Sequence, residues 1–432
     1  MKRVAFYTLG CKVNQYETEA MLELFKREGY EVVPPSEIAD IYVINTCSVT
    51  NAAEKKSRQF IRRSKKRNEN SVIAVVGCYS QVLPDEVLDI KEVDIIVGTK
   101  NRNKIVKLCK RAEKKKQKIN IVEDIMSVSE FEELAIDNVK GKTRAFLKIQ
   151  EGCNQFCSYC IIPYARGPIR SRGLDNIIKE VKKLTKSGFK EIVLTGIHVA
   201  SYGKDIGNVD LLDVLESVHN IEGVERIRLS SIEPTLIDDE FMENLLKLPK
   251  VCNHFHLSLQ SGSDNVLKRM NRKYTTSEFK NIVKIIRKHM PNAGITTDVI
   301  VGFPGETDEE FKETYKFVKE IGFSKVHVFK YSPKKGTPAA KYKNQINGNI
   351  KSERSNIMIE LAKNLTKDFN KKFINKEMDV LFEEENNSYT EGYTNNYIRT
   401  MVKRNPSLEG KVIKVKIKDI SGENLLGEIL SC

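Results

Sequence analysis

The sequence predicts an α/β protein in three parts: an N-terminal doubly wound parallel sheet, a central partial (β/α)6 barrel of the TIM type, and a small C-terminal β-barrel. Strands alternate with helices over about the first hundred residues, and the alternation restarts in six clearer units from Ala145. From about Lys371 the pattern changes to short alternating strands with Asn- and Gly-containing turns. These changes predict parts at residues 1–115, 139–370 and 371–432, with a linker at 116–138.

The N-terminal part pairs apolar strands with helices that have one polar face. Strands are expected at 4–9, 41–45, 72–76 and 94–97, and helices at 16–27, 52–67 and 84–89. Alternation of this kind builds a parallel sheet with helices on both faces.

The central part repeats the same unit six times, fewer than the eight of a complete barrel. Its strands begin near 145, 191, 226, 254, 297 and 325, and its helices lie at 174–187, 211–218, 238–248, 276–290, 307–321 and 352–369. Barrels of this type keep their chemistry at the carboxyl ends of the strands. The last part has strands at 378–382, 411–418 and 425–429, a pattern that fits a small barrel of the oligonucleotide-binding kind.

The composition predicts a cytoplasmic globular protein with no membrane partner, and a monomer is the expected state. Hydrophobic residues make up 40% and charged residues 30% of the chain, and no apolar run reaches the roughly 18 residues that cross a bilayer. The first strand is too short for the apolar region of a signal peptide. In a reducing compartment the nine cysteines favour metal binding or catalysis over disulfides.

The formal net charge of +14 favours a polyanionic partner such as nucleic acid, although a solvated basic surface gives the same value. The basic residues cluster in two places. One predicted helix carries Lys55, Lys56, Arg58, Arg62, Arg63, Lys65, Lys66 and Arg67. The C-terminal part carries Arg399, Lys403, Arg404, Lys411, Lys414, Lys416 and Lys418 against only Glu409 within that stretch. Each cluster is either an RNA-phosphate contact or a solvated face.

Three cysteines, Cys153, Cys157 and Cys160, form a C-x3-C-x2-C run directly after the first barrel strand. Three thiolates on one loop can hold three corners of a [4Fe–4S] cluster and leave its fourth iron free for another ligand. A structural zinc ion is the alternative, but it usually needs four ligands. Cys109 and Cys252 are distant in sequence, and with Cys432 they are given no role.

A second set, Cys11, Cys47 and Cys78, is dispersed, but each cysteine directly follows a predicted strand. The carboxyl ends of parallel strands lie side by side, and ligand sites form in the crevice outside them. We therefore expect the three to converge on a second cluster. Buried structural cysteines are the alternative, because cysteine is often fully buried.

These motifs resemble the radical S-adenosylmethionine methylthiotransferase family over essentially the whole chain. The matching segments are residues 8–17 (TLGCKVNQYE), 45–50 (NTCSVT), 76–78 (VGC), 194–198 (LTGIH), 259–263 (LQSGS) and 301–306 (VGFPGE). The segment 371–432 is similar to the family's RNA-binding TRAM domain. The residues after Cys11 look like the branch that acts on N6-threonylcarbamoyladenosine in tRNA. Branches acting on isopentenyladenosine or on a ribosomal-protein aspartate are the alternatives.

The resemblance implies two [4Fe–4S] clusters and two S-adenosylmethionine molecules per turnover, one as radical source and one as methyl donor. It also implies the tRNA anticodon stem-loop, an external one-electron reductant and a sulfur donor as partners, and no catalytic residues beyond the cluster cysteines. The C2–H of adenine is not acidic, so a cofactor must do the hard chemistry. A non-catalytic RNA-binding or electron-transfer iron–sulfur protein is the alternative from another class.

Seven residues are candidate contacts to S-adenosylmethionine: Tyr159, Gly196, Glu233, Ser258, Gln260, Asp298 and Gly302. By the resemblance, Tyr159 lies against the adenine; plain packing is its alternative. The glycines permit close approach of the backbone or simply form turns, and Gln260 makes either a cofactor contact or a core hydrogen bond. His254 and His256 share a strand face, but no third ligand accompanies them in sequence, so no metal is expected there.

Overall fold

The computed structural model describes residues 1–115, 117–134 and 143–430. Its N-terminal part is a parallel sheet in the order β2-β1-β3-β4-β5-β6. The strands are β1 (Arg3–Thr8), β2 (Glu31–Val33), β3 (Ile41–Thr46), β4 (Val72–Gly77), β5 (Ile95–Val97) and β6 (Ile119–Asn120). The helices are α1 (Lys12–Arg27), α2 (Asn51–Arg67), α3 (Cys78–Val82), α4 (Pro84–Leu88) and α5 (Ile105–Lys115). Both central strands, β3 and β4, are fully buried because hydrophobic clusters cover the two faces of the sheet.

The predicted linker departs from its expected form. Of residues 116–138, the structure describes 117–134, and Ile119–Asn120 adds a sixth strand to the N-terminal sheet. Farther along, Leu134 is buried in the barrel core. Two- and three-residue strands such as β6 and β2 show too few alternations for their period to be recognised in a sequence.

The central part contains the six predicted parallel strands in sequence order. Its strands are β7 (Arg144–Lys148), β8 (Gln150–Glu151), β9 (Arg170–Ser171), β10 (Glu191–Thr195), β11 (Arg226–Leu229), β12 (Ser231–Ile232), β13 (His254–Leu257), β14 (Gly294–Val301) and β15 (Lys325–Lys330). The order β7-β10-β11 continues through the adjoining β12 into β12-β13-β14-β15. The sheet is thus an open barrel, with β8 and β9 forming a separate short hairpin.

Helices cover the outside of this barrel and bury the largest hydrophobic core of the chain. They are α6 (Ile162–Arg166), α7 (Leu174–Lys186), α8 (Leu211–His219), α9 (Asp239–Leu246), α10 (Asp264–Arg269), α11 (Thr276–His289), α12 (Asp308–Ile321) and α13 (Gly348–Lys371). Capping boxes begin α8, α11 and α12, which explains why these helices start within a residue of their predicted positions. No helix among the described residues is long and apolar enough to cross a membrane.

The C-terminal part is a closed five-stranded barrel in the order β16-β17-β18-β20-β19. Its strands are β16 (Glu377–Glu385), β17 (Tyr389–Thr394), β18 (Arg399–Lys403), β19 (Val412–Ser421) and β20 (Asn424–Ile429). This small barrel packs against the amino ends of the central strands: the Arg226 guanidinium donates to the carbonyls of Tyr393 and Asp379 at 2.8 and 2.7 Å. The opposite, carboxyl ends of the central strands are left for the cysteine loops.

Candidate functional site

The contiguous cysteines lie on the loop between β8 and α6. The loop is held by backbone bonds: the Cys153 amide donates to the Gly167 carbonyl at 3.0 Å, and the Cys160 amide donates to the Cys157 carbonyl at 2.9 Å. Gly152, just before the loop, has φ +77°, and a Cβ there would lie 1.8 Å from the Pro168 carbonyl oxygen. The sequence therefore needs glycine at this position to turn into the loop.

Arg272 connects this loop to two of the predicted cofactor contacts. Its guanidinium lies 3.3 Å from the Cys157 sulfur, 2.9 Å from a Glu233 carboxylate oxygen and 3.2 Å from the Ser258 carbonyl. Burial alone would raise the pKa of the Glu233 carboxyl, but the His198 ring 3.6 Å away and the Arg272 charge hold it below its usual range. Sequence reasoning missed Arg272, because no motif marks an isolated arginine between two helices.

The dispersed cysteines follow three adjacent strands of the N-terminal sheet, as predicted. Cys11 follows β1, Cys47 follows β3 and Cys78 follows β4. The segments that carry Cys11 and Cys47 approach closely: a Cβ on Gly10, which has φ +113°, would lie 3.0 Å from the Cys47 Cβ. Cys11 is exposed, whereas Cys47 and Cys78 are buried, so one corner of the set faces outward.

A second arginine joins the dispersed set to the barrel. The Nε of Arg166, at the end of α6, lies 3.3 Å from the Cys78 sulfur. The same guanidinium binds Glu151 at 2.6 Å, and it binds Glu17 of α1. Because α6 directly follows the contiguous cysteine loop in sequence, Arg166 connects the segment that carries this loop to Cys78 of the dispersed set.

Arg166 belongs to a buried ion network between α1 and the barrel. Its carboxylates are Glu17, Glu132 and Glu151, and its cations are Arg102, Lys148 and Arg166, all at most 4% exposed. The nearby cations outweigh burial and hold the pKa values of Glu17 and Glu151 below their usual range. Buried charges persist when they are paired in this way, so the network fixes the N-terminal sheet against the barrel.

The thiols of both sets are suited to a cation. Burial, reinforced by neighbouring thiols, raises the pKa of Cys47 and of Cys160 to about 12, so bound metal is what would favour their thiolates. Around a single zinc ion, sulfurs at about 2.3 Å from the metal would lie about 3.8 Å apart. Among the described residues, no three cysteine sulfurs lie within 4.8 Å of one another. The sulfurs of neither set are therefore held at the separation of a zinc site; in a cubane each cysteine binds a separate iron.

Four predicted cofactor contacts share one edge of the barrel. Each of them is the first residue after a strand: Gly196 follows β10, Glu233 follows β12, Ser258 follows β13 and Gly302 follows β14. A Cβ on Gly196 would lie 3.0 Å from Gln150, which accounts for this glycine by the approach of a protein neighbour. At Gly302 the backbone has φ +69° and its amide donates to a Glu306 carboxylate oxygen at 2.7 Å.

The other three predicted contacts are placed differently. Tyr159 packs edge-on against Phe303, with ring centroids 6.4 Å apart. The backbone N–H of Gln260 donates to the backbone carbonyl of Asp298 at 2.8 Å, which extends the pairing with β14 beyond the end of β13. The Asp298 side chain points to His256, with Oδ2 3.3 Å from Nε2.

Over the described ranges, the structure does not bring a third ligand to the pair His254 and His256, but it places two other ligand-type residues beside His256 alone. His256, Asp298 and His327, from β13, β14 and β15, place three ligand-type atoms within 4.8 Å of one another. The sequence hides this group because the three residues lie on separate strands. Both ring nitrogens of His256 already face protein partners, Asp298 and Thr296.

The two basic clusters differ in how far their charge is neutralised. On α2, the exposed side chains of Lys55, Lys56, Arg62, Arg63 and Lys66 have no carboxylate partner among the described residues. In the small barrel, four basic residues pair with acids from neighbouring strands: Arg399 with Glu391, Arg404 with Glu385, Lys414 with Asp379 and Lys418 with Glu428. The view of this cluster as facing only Glu409 was therefore wrong, because antiparallel pairing brings in acids distant in sequence.

Cys109 and Cys252, which were given no role, are both buried. Cys432 lies outside the described residues.

Two family models match the chain. The one described as "Radical SAM superfamily" matches residues 147–318, and the one described as "Uncharacterized protein family UPF0004" matches residues 3–98. The two matched ranges contain the contiguous and the dispersed cysteines, respectively.

Curated relatives match over nearly the full length. The chain is 48% identical over 96% of its length and 94% of the relative to the threonylcarbamoyladenosine tRNA methylthiotransferase MtaB of Bacillus subtilis. It is 36% identical over 99% of its length and 93% of the relative to the tRNA-2-methylthio-N(6)-dimethylallyladenosine synthase of Alkaliphilus oremlandii.

Among solved structures, the radical S-adenosylmethionine methyltransferase TsrM of Kitasatospora setae has a similar fold, with a TM-score of 0.59. It is 14% identical, over 78% of this chain and 77% of that one. The chain belongs to the radical S-adenosylmethionine methylthiotransferase family.

Proposed function

We propose that this chain is a tRNA methylthiotransferase that converts N6-threonylcarbamoyladenosine next to the anticodon into its 2-methylthio derivative. The observation that carries the proposal is the pair of three-cysteine sites, whose segments Arg166 connects, in a chain 48% identical to a relative named for this activity. A chain that only made a radical would have no evident use for the second set.

Family membership gives the chain S-adenosylmethionine and a [4Fe–4S] cluster, which Cys153, Cys157 and Cys160 would hold. Bound there, they supply the one-electron chemistry that replaces a non-acidic hydrogen on carbon. The protein's part is positioning. Arg272 fixes Cys157 relative to Glu233 and Ser258, so the loop and the strand ends that face it keep one geometry.

A second cluster at Cys11, Cys47 and Cys78 is part of the proposal, as are two S-adenosylmethionine molecules with separate fates. Cys11 is exposed while the other two are buried, which supports a site open to substrate on one side. The proposal also includes an external reductant, a sulfur donor, a cytoplasmic location and a monomeric state.

The RNA would meet the protein near α2, which begins four residues after Cys47. Its exposed cations suit the phosphates of an anticodon loop, where an unstacked base can enter a site at small cost. The start of the helix is held in place because Glu54 binds both Ser48 and Lys334.

Nucleoside mass spectrometry of tRNA tests the proposal. Cells lacking this chain, and no second enzyme of the family, should lose 2-methylthio-N6-threonylcarbamoyladenosine and accumulate the unmodified precursor. Normal levels of the methylthio nucleoside would contradict it. In vitro, RNA carrying dimethylallyladenosine and the ribosomal-protein aspartate serve as competing substrates, and preference for either would reassign the branch. Absence of 5′-deoxyadenosine from the reduced, reconstituted chain would favour a non-catalytic protein.

A further inference from the structure

A cavity of about 650 Å³ occupies the barrel interior next to the C-terminal β-barrel. Its wall includes Lys12, His254, His256, Thr296, His327 and Tyr397. Lys12 is the first residue of α1 and belongs to the N-terminal part, yet its ammonium lies 5.9 Å from the ring centroid of Phe146 on β7. Lys12 directly follows Cys11 in the sequence, and its side chain thus extends from the N-terminal part into the barrel.

The cations around this cavity are nearly all neutralised by the protein. Arg228 binds Glu191 at 2.6 Å and Arg144 binds Glu383 at 2.5 Å. Lys325 lies 3.4 Å from Glu423, and Arg399 pairs with Glu391. Outside the lining, the Asp298 carboxylate lies 3.3 Å from Nε2 of His256, a residue of the wall.

Lys12 is the exception. Among the residues that the structure describes, it has no hydrogen-bond or carboxylate partner, although it is half-buried. A buried nitrogen of the wall, Nδ1 of His254, also lacks a hydrogen-bond partner. An ammonium removed from most of its water without a counter-ion is costly, and a bound anion would offset that cost. The cavity therefore has room and charge for an anionic group.

We propose that this cavity is a specificity subsite, in which the Lys12 ammonium binds the carboxylate of the threonyl group on the substrate adenine. The inference rests on the proposed function. Threonylcarbamoyl ends in a free carboxylate, whereas the dimethylallyl group in the name of the other relatives has no charge. Because Lys12 adjoins Cys11, holding the substituent here keeps the base close to the dispersed cysteines.

The wall suits the rest of the substituent as well. His327 contributes its imidazole to the wall, and the Tyr397 hydroxyl, which accepts from Arg144 at 3.5 Å, keeps a proton to donate, so the threonyl hydroxyl and the carbamoyl group meet polar side chains. A site that hydrogen-bonds and pairs its ligand rejects analogues that leave its own polar groups unpaired. An uncharged, apolar substituent would leave Lys12 without an anion.

Binding of synthetic anticodon stem-loops to the wild-type chain tests the subsite without requiring turnover. Three RNAs are compared by fluorescence anisotropy: one with N6-threonylcarbamoyladenosine, one with the methyl ester of its threonyl carboxylate, and one with dimethylallyladenosine. The free acid should bind about 10–100-fold more tightly than the ester, as a lost charge-assisted contact predicts. Equal affinities for the acid and the ester would overturn the inference.

The variant Lys12→Met should reduce the acid–ester difference to within about threefold, and Lys12→Arg should restore most of it. Lys325→Met is the matched control, because that lysine lines the same cavity but already pairs with Glu423. It should keep the wild-type preference. If Lys12→Met keeps the full preference, or Lys325→Met abolishes it equally, the subsite is not built on Lys12.

Two outcomes separate this inference from the proposed function. If the chain methylthiolates the threonylcarbamoyl RNA at adenine C2 but binds the acid and the ester equally, the proposed function stands and the proposed subsite is refuted. A chain that acts on neither modified base loses both. Iron content is measured on each variant, so that loss of a cluster beside Lys12 is recognised; the wild-type acid–ester comparison decides in that case.

Discussion

The two cysteine sites are built in opposite ways. The contiguous set occupies one loop, residues 153–160, whereas the dispersed set is assembled from three strand ends between residues 11 and 78. Each has an arginine nitrogen 3.3 Å from one sulfur: Arg272 at Cys157 and Arg166 at Cys78. Arg272 belongs to the same barrel as its cysteine, but Arg166 reaches across from the barrel to the N-terminal sheet.

This difference determines what each site depends on. The loop is fixed by its own backbone bonds and by Gly152, so local sequence determines it. The dispersed site also depends on the position of the N-terminal sheet relative to the barrel. The buried ion network around Glu17 and Glu151 fixes that position. Changes at the interface should therefore affect the second site and leave the first in place.

The largest expected effect comes from removing either set of cysteines. The triple substitution Cys11, Cys47 and Cys78 to Ala should lower the iron content from about eight to about four per chain, as two four-iron clusters predict. Formation of 5′-deoxyadenosine should continue, and no methylthio product should form. Iron analysis and product chromatography measure the three quantities.

The reciprocal triple, at Cys153, Cys157 and Cys160, should also lose about four irons but should stop 5′-deoxyadenosine formation altogether. A dispersed triple that retains all its iron would show that the strand-end cysteines are structural. A matched control replaces the buried Cys109 and Cys252 with Ala, which should leave the iron content unchanged.

The next largest effect is expected at the interface. Arg166→Met removes one cation from the buried ion network, so the negative charges of Glu17 and Glu151 are no longer fully balanced. Breaking a buried ion pair costs about 3–5 kcal/mol of stability. Thermal unfolding should shift down by several degrees, with sulfur insertion reduced more than S-adenosylmethionine cleavage. Arg166→Lys keeps the charge and should recover most of the stability.

Arg272→Met sharpens the same comparison from the other side. It removes the guanidinium that pairs with Glu233 and leaves that carboxylate beside the His198 ring at 3.6 Å, and it should reduce S-adenosylmethionine cleavage first. If both arginine variants impair cleavage to the same extent, the two sites are not separable in the way their construction indicates.

The same contrast explains what could be predicted from the sequence. The loop cysteines follow from spacing, and the strand-end cysteines follow from topology, since each stands directly after a strand of a parallel sheet. Arg166, Arg272 and His327 could not be predicted, because their importance comes from contacts with residues far along the chain. The net charge of the C-terminal basic cluster was also misjudged from the sequence, because the acids that neutralise Lys414 and Lys418 come from other strands. The charge of a patch is a property of the fold.

A smaller effect should follow from pH. The pKa values of Glu17 and Glu151 are held below their usual range in the folded chain, so the unfolded chain binds more protons as the pH falls. Their stabilisation is complete above the unfolded value of about 4.3 and is lost as the pH drops through the folded values, at up to about 1.4 kcal/mol per pH unit for each carboxyl.

Unfolding temperatures of the cluster-free chain measured from pH 7 to pH 3 check this slope. Glu17→Gln should be less stable at pH 7 but should lose stability less steeply below about pH 4.3. The exposed Glu69→Gln control should keep the wild-type slope. A wild-type slope in Glu17→Gln would mean that the network does not titrate in this range.

The smallest expected effect distinguishes the two basic clusters. Arg62→Gln with Arg63→Gln removes two exposed charges that have no acidic partner among the described residues, whereas Lys414→Gln with Lys418→Gln removes two that are already paired. If α2 contacts the RNA backbone, the first pair should lower the slope of log K against log salt by about 1.4–1.8 for tRNA binding, and the second by well under one. Filter binding at several salt concentrations measures both slopes. A larger change for the second pair would move the main phosphate contact to the C-terminal barrel, because acids that neutralise a lysine in the free protein would then have to release it to the RNA.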